Sequence, residues 1–229
     1  MLTVYKKPVW QILMPEKLYC FPCLILRRTI RNMQSRFDPL IDSFINDNLG
    51  IHPSFLGEEL ANGLRENIFR LQEEDKMVAA GVGHGNNKLN DKKVRGDKIY
   101  WMDRSHDNVY EQEFLDLVED FVEYLNSTCY TGINGYEFHY TVYEEGSFYT
   151  RHRDQFKANS HRKYSLINYL NENWQESDGG ILQVYQGDNI QKIIPHSRTT
   201  VFFKSDEVEH EVTLAHRPRM SVTGWLKRI

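Results

Sequence analysis

The sequence predicts an α+β fold in which a short run of helices precedes a β sandwich or barrel. Three observations carry this reading. Apolar residues recur at helical spacing as far as about residue 127. From about residue 134 they give way to short runs rich in β-branched and aromatic residues. Turn chemistry separates those runs, as in Glu144-Glu145-Gly146, Asp178-Gly179-Gly180, Gln186-Gly187-Asp188 and Arg217-Pro218. Helices first, then many short strands joined by tight turns, is a segregated arrangement rather than an alternating βαβ one.

In chain order, residues 1–32 carry Lys6, Lys7, Lys17, Arg27, Arg28 and Arg31 against Glu16 alone, a net +5 in a chain whose total is −4. This basic leader is expected to be flexible or untranslated, with Met33 the favoured start. A single domain then spans residues 33–229 and carries −9. Phe37, Leu40, Ile41, Phe44 and Ile45 mark a first helix that Gly50 stops. Ser54 is placed to cap a second, with Leu56, Leu60, Leu64, Ile68 and Leu71 on one stripe. The Gly/Asn/Lys-rich stretch 81–93 reads as a mobile loop. A third helix is expected near Val109–Ser127. Strands follow at Tyr136–Tyr143, Phe148–His152, Lys163–Leu170, Gly180–Tyr185, Thr199–Phe203, Glu209–Leu214 and Met220–Leu226.

Composition narrows the function. With 229 residues, 40% hydrophobic and 13% aromatic, the chain can fill a core and is not globally disordered. The negative total disfavours a duplex-DNA binder, so no nucleic-acid partner is expected. No run reaches the ~18 apolar residues of a membrane span. Three cysteines build no disulfide framework, which points to a reducing cytoplasm. Cys20 and Cys23 form a CxxC pair without a second pair to complete a zinc tetrahedron, and a structural reading is preferred. Gly81, Gly83 and Gly85 lack the following Lys-Ser/Thr of a phosphate loop.

The residues that carry chemistry lie in the β region. His152 and Asp154 stand at i and i+2, on one face of a strand. His210 follows 56 residues after Asp154. Two histidines and one carboxylate on one face of an iron leave positions open for a bidentate cosubstrate and dioxygen. If residues 215–218 form a hairpin loop, Leu214 opposes Arg219 and His210 opposes Thr223. Arg219, Ser221, Thr223 and Trp225 then share the face of His210. An inward arginine in an apolar barrel calls for an anion, and the far carboxylate of 2-oxoglutarate is the economical one.

Together these residues resemble the 2-oxoglutarate/Fe(II)-dependent prolyl hydroxylases, most closely the oxygen-sensing (hypoxia-factor) type and its bacterial relatives. The resemblance runs from about Val94 to Leu226. It includes Arg95-Gly96-Asp97-Lys98, Tyr149-Thr150-Arg151-His152-Arg153-Asp154, Ile167-Asn168-Tyr169-Leu170-Asn171, Gly179-Gly180 and His210-Glu211-Val212, then Arg219 and Thr223-Gly224-Trp225. It implies a double-stranded β-helix (jelly-roll) core with N-terminal supporting helices. It also implies iron ligation by His152, Asp154 and His210, and cosubstrate binding by Arg219, Tyr169, Tyr143 and Thr223. Arg95, Asp97, Trp101 and Trp225 become the rim that meets the substrate. The implied activity is hydroxylation of a prolyl residue in an intracellular protein or peptide by a monomeric enzyme. That reaction uses Fe(II), 2-oxoglutarate and O₂, with ascorbate as a stimulating reductant, and gives succinate and CO₂. The 81–93 loop is richer in Gly and Asn than its counterparts, so the hypoxia-factor substrate does not carry over. Collagen-type enzymes resemble a Lys-based pattern where this chain has Arg219. Two other readings remain open: a nucleic-acid demethylase, which Ser221 and Trp225 fit poorly, and a non-catalytic 2-oxoglutarate or peptide sensor.

Overall fold

The computed structural model describes residues 36–81, 94–155 and 160–229. The leader, Met33, the CxxC pair and most of the Gly-rich loop lie outside the described residues. The elements in order are α1 (36–47), β1 (Gly50–His52), α2 (Glu58–Glu73), β2 (Val78–Ala79), β3 (Asp97–Trp101), α3 (Val109–Cys129), β4 (Gly135–Tyr143), β5 (Tyr149–His152), β6 (Arg162–Tyr169), β7 (Leu182–Gln186), β8 (Asn189–Ile193), β9 (Thr200–Lys204), β10 (Glu209–Val212) and β11 (Arg219–Lys227). A 3₁₀ turn, Glu176–Asp178, precedes β7. None of the described helices is long and apolar enough to cross a membrane.

The strands form two antiparallel sheets. The larger runs β1-β9-β6-β11-β4-β3-β2 and the smaller β5-β10-β7-β8. Period-2 alternation decides what each face of the larger sheet meets. Phe138, Tyr140 and Val142 of β4, with Val222 and Leu226 of β11, pack against Leu60, Leu64 and Ile68 of α2 and Phe114, Val118 and Phe121 of α3. Each fully buried leucine or phenylalanine there contributes roughly 1.5–3 kcal/mol. On the other face, Tyr143, Ile167, Tyr169, Val201 and Phe203 meet Leu182, Val184, Ile193 and Val212 of the smaller sheet. Two sheets packed face to face behind supporting helices form the expected double-stranded β-helix.

Local expectations are corrected at several points. Ser54 does not cap α2. Its backbone N–H donates to Nδ1 of His52, and the N-cap is Gly57, so Leu56 is buried ahead of the helix rather than on it. The cap of α3 is Asn108, whose side chain accepts from the backbone N–H of Glu111. β1, β2, β3 and β8 lay outside the expected strands. The expected β10–β11 hairpin does not form: β10 pairs with β5 and β7, whereas β11 pairs with β4 and β6. The connection between them crosses from one sheet to the other. It is held by Ala215 N–H to Ser147 O at 2.9 Å, Gly180 N–H to Leu214 O at 2.9 Å and His216 N–H to Asp178 O at 2.8 Å. Those partners satisfy the backbone groups that a hairpin would otherwise pair. The predicted inward set of β11 nevertheless faces the cavity, because its own alternation against the helices fixes which side points in.

Candidate active site

His152 ends β5 and His210 lies opposite it on β10 as a direct cross-strand partner. Asp154 follows β5 by two residues and brings Oδ1 to 3.5 Å from His152 Nε2 and 3.7 Å from His210 Nε2. One ligand atom from each of the three lies within 4.8 Å of the others. Both rings are oriented from behind. His152 Nδ1 meets the Thr150 carbonyl at 2.8 Å and His210 Nδ1 meets that of Val208 at 3.3 Å, which directs each Nε2 toward Asp154. Ser165 Oγ donates to Asp154 Oδ2 at 2.6 Å and sits 2.9 Å from Ser205 Oγ, with both serines buried.

The electrostatics suit a cation. Burial opposes the charge of Asp154, but His210, His152 and the Ser165 hydroxyl outweigh it and hold the carboxyl far below the usual range. Burial pushes His210 down to about 4 despite the opposing pull of Asp154. A carboxylate and a neutral imidazole at neutral pH are the ligand forms a metal requires.

A second group gathers at the start of β11. Arg219, 1% exposed, stands opposite Tyr143, with Tyr169 two residues further along on the other neighbouring strand. Its Nε donates to Gly180 O at 2.7 Å, and its guanidinium carbon lies 5.0 Å from the Tyr143 ring centroid and 4.9 Å from that of Tyr169. Among the described residues no carboxylate comes within ion-pair distance of Arg219, and the buried Tyr169 hydroxyl has no hydrogen-bond partner. Thr223 is half-buried on the same strand face, with Oγ1 3.3 Å from Ser221 Oγ.

Further along this face, Trp101, His139 and Trp225 cluster, with ring centroids 4.9 Å (Trp101–His139), 5.6 Å (His139–Trp225) and 6.4 Å (Trp101–Trp225) apart. Trp101 is 41% exposed, whereas Trp225 is buried, with no hydrogen-bond partner for its Nε1 among the described residues and the Arg162 guanidinium 3.4 Å above its ring. Arg95 and Asp97 pair with each other through Nε–Oδ1 at 2.7 Å and Nη2–Oδ2 at 2.5 Å, with the Asp97 side chain wholly buried. The structure thus brings together the three expected ligand residues, and Arg219 with Tyr143 and Tyr169, while Thr223 lies four residues further along β11, opposite His139. Sequence reasoning missed His139, Ser165 and Ser205. Alternation along β4 was the available signal for His139, since Tyr143, Thr141 and His139 share the face of Arg219 and Thr223 through the β4–β11 register.

Residues 138–227 match the model of the 2OG-Fe(II) oxygenase superfamily. The crystal structure of a Pseudomonas putida prolyl-4-hydroxylase is 30% identical, with a TM-score of 0.75, over 83% of this chain and 97% of that one. The chain belongs to the 2-oxoglutarate/Fe(II)-dependent prolyl hydroxylase family. Two more distant structures share its fold. One is a Trichoplax adhaerens prolyl hydroxylase solved with a hypoxia inducible factor oxygen degradation domain peptide fragment, at 22% identity, TM-score 0.77 and coverages of 88% and 93%. The other is the viral collagen prolyl hydroxylase of Paramecium Bursaria Chlorella virus-1, at 16%, 0.55, and 80% and 97%. The hydroxylase is a Fe(II)/2-oxoglutarate-dependent dioxygenase, and its residues fit both groups. The His-Asp-His face offers the N/O donors of a non-haem Fe(II) site. The unpaired buried guanidinium beside an unpartnered phenol fits a carboxylate.

Proposed function

We propose that this dioxygenase hydroxylates a prolyl residue of a protein or peptide, consuming 2-oxoglutarate and O₂ and releasing succinate and CO₂. The observation that carries the cosubstrate half is Arg219, a buried cation with no carboxylate partner among the described residues. Desolvating a guanidinium costs several kcal/mol unless an anion meets it. In this reading His152, Asp154 and His210 hold Fe(II), while Arg219 and Tyr169 take the distal carboxylate of 2-oxoglutarate, with Tyr143 beside the guanidinium and Thr223 further along the same strand face. Bound Fe(II) and 2-oxoglutarate supply the oxidising chemistry, O₂ activation coupled to cosubstrate decarboxylation.

The chain's own residues orient and shield. The Thr150 and Val208 carbonyls fix the histidine tautomers, and Ser165 holds the outer oxygen of Asp154. Tyr143, Tyr169 and Phe203 are buried around the pocket and exclude water from it. Trp101 forms the exposed aromatic part of a peptide rim, backed by the buried Trp225, and the Arg95–Asp97 pair stands at the start of the same strand, β3. Proline rings stack well on such surfaces, and the exposed Trp101 is the ring of this cluster that a peptide reaches directly. The reaction is proposed to run in the cytoplasm on a monomer, with ascorbate as reductant.

The test incubates the protein with Fe(II), 2-oxoglutarate, ascorbate and an array of proline-containing peptides. The expected result is succinate release with a +16 Da change on proline, lost in His152→Ala and Asp154→Ala. 2-Oxoglutarate binding without turnover of any peptide would replace the reading with a cosubstrate sensor.

A further inference from the structure

The iron-ligand candidate His152 is the inner layer of a three-part stack. Its ring lies 3.6 Å from the Tyr149 ring centroid, with the planes 15° apart. The Arg95 guanidinium carbon lies 4.4 Å from the same centroid. Two groups at those distances fit only on opposite faces of one ring, so Tyr149 is sandwiched between the imidazole and the guanidinium. Arg95 is itself fixed by the two-point pairing with the fully buried Asp97, whose strand β3 belongs to the other sheet. Backbone contacts hold the layers in register: Arg95 bridges Tyr149, Thr150 N–H donates to Val94 O at 3.0 Å, and Gly96 N–H donates to Phe148 O at 3.1 Å. The opposite side of His152 is approached by His210, with ring centroids 4.3 Å apart.

We propose that Arg95 and Tyr149 are positioning residues for the metal: the Asp97–Arg95–Tyr149 stack braces the His152 ring from outside and fixes the direction of Nε2. This rests on the metal-binding reading above. The physical argument is one of degrees of freedom. The bond from Nδ1 to the Thr150 carbonyl sets one edge of the imidazole but leaves rocking about that bond unopposed. A face-stacked phenol backed by a planar, doubly hydrogen-bonded cation opposes it, and a flexible point charge such as lysine would not. Asp97 holds the guanidinium plane, the guanidinium backs the phenol, and the phenol backs the ligand. The charged pair at the start of β3 therefore acts on the metal site without contacting it.

The test uses Co(II) as the probe on metal-stripped protein, without cosubstrate or peptide, read by calorimetry and by the visible absorption of the bound ion. Arg95→Met and Tyr149→Leu are expected to weaken Co(II) binding roughly tenfold, the low end of what partners behind a ligating histidine contribute, and to shift the absorption band. Tyr149→Phe keeps the ring and should restore wild-type affinity and spectrum, which a merely structural role for the tyrosine would not predict. Circular dichroism and the thermal midpoint establish that each variant is folded. If Tyr149→Leu does not fold, the comparison of Arg95→Met with Arg95→Lys decides, with lysine expected to fail as methionine does. Folded Arg95→Met and Tyr149→Leu proteins that bind Co(II) as the wild type does overturn the positioning role alone. A wild type that binds no Co(II) overturns the metal site itself.

Discussion

Arg219 Nε donates to the carbonyl oxygen of Gly180 at 2.7 Å, a bond that aims the rest of a buried, unpaired guanidinium between the rings of Tyr143 and Tyr169. A cation held this way destabilises the ligand-free fold and is relieved by an anion. Arg219→Met should therefore unfold at a higher temperature than the wild type without ligand, by the equivalent of about 1 kcal/mol or more. Millimolar 2-oxoglutarate should raise the midpoint of the metal-loaded wild type and leave that of Arg219→Met almost unmoved. In turnover the variant should show a much higher KM for 2-oxoglutarate. A thermal shift by 2-oxoglutarate equal in both proteins would place the carboxylate elsewhere.

The glycine that supplies that carbonyl is not replaceable. Gly180 has φ +59°, and a Cβ there would lie 2.8 Å from Arg219 Cδ and 3.3 Å from Trp174 Cζ2. Gly180→Ala is expected to cost about 1–2 kcal/mol from the left-handed backbone alone and to push Arg219 off its rotamer. The KM for 2-oxoglutarate should rise at least several-fold more than metal affinity falls. Trp174→Phe, which keeps an aromatic side chain but loses part of the indole's bulk and the Nε1–H bond to Gly179 O at 2.9 Å, should show a smaller effect of the same kind. Steady-state kinetics with 2-oxoglutarate varied, paired with Mn(II) titration, separates the two constants.

Ser165 acts on the carboxylate rather than on the cosubstrate. Its 2.6 Å bond leaves Asp154 Oδ1 as the oxygen nearest both histidines. Ser165→Ala should weaken Mn(II) binding roughly tenfold and leave the 2-oxoglutarate affinity of the metal-saturated protein near that of the wild type. Ser165→Thr, which retains the hydroxyl, should bind Mn(II) nearly as the wild type does. Calorimetry on the three proteins checks both statements.

How much of this was legible in the sequence follows from which forces act locally. Alternation along β11 placed Arg219, Ser221, Thr223 and Trp225 on one face, and that placement holds, because it depends only on the strand's own period against the helices. The pairing invoked to reach it was wrong. Residues 213–218 resemble a hairpin loop by length, but they carry the chain between sheets, and their partners Ser147, Asp178 and Gly180 come from distant segments. Contacts of that kind leave no local trace. The same holds for Arg95 and Asp97. Their types and spacing suggested either rim or ion pair, and only the fold shows them joined to each other and stacked on Tyr149. β1 and β2 are two or three residues long, below the length at which alternation can be read, while the exposed β8 lacks a buried face to reveal it.

His139 gives the fold an acid-sensitive point apart from the His152-Asp154-His210 group. Burial pushes its imidazole down to about 4 against an ordinary value near 6.5, with Asp97 opposing and Arg95 and Arg162 reinforcing the shift. The rings of Trp101 and Trp225 and the Thr141 hydroxyl surround it. The folded protein holds this histidine neutral where the unfolded chain protonates it. Its contribution to stability is therefore complete above about pH 6.5 and is lost as the pH falls toward 4, by up to about 1.4 kcal/mol per pH unit. His210 acts in the same direction, so removing His139 should reduce the slope rather than abolish it. His139→Met, similar in bulk and unable to titrate, should show a shallower fall of urea midpoint between pH 6.5 and pH 4 than the wild type. Parallel curves for the two proteins would mean that His139 charges inside the folded state without cost.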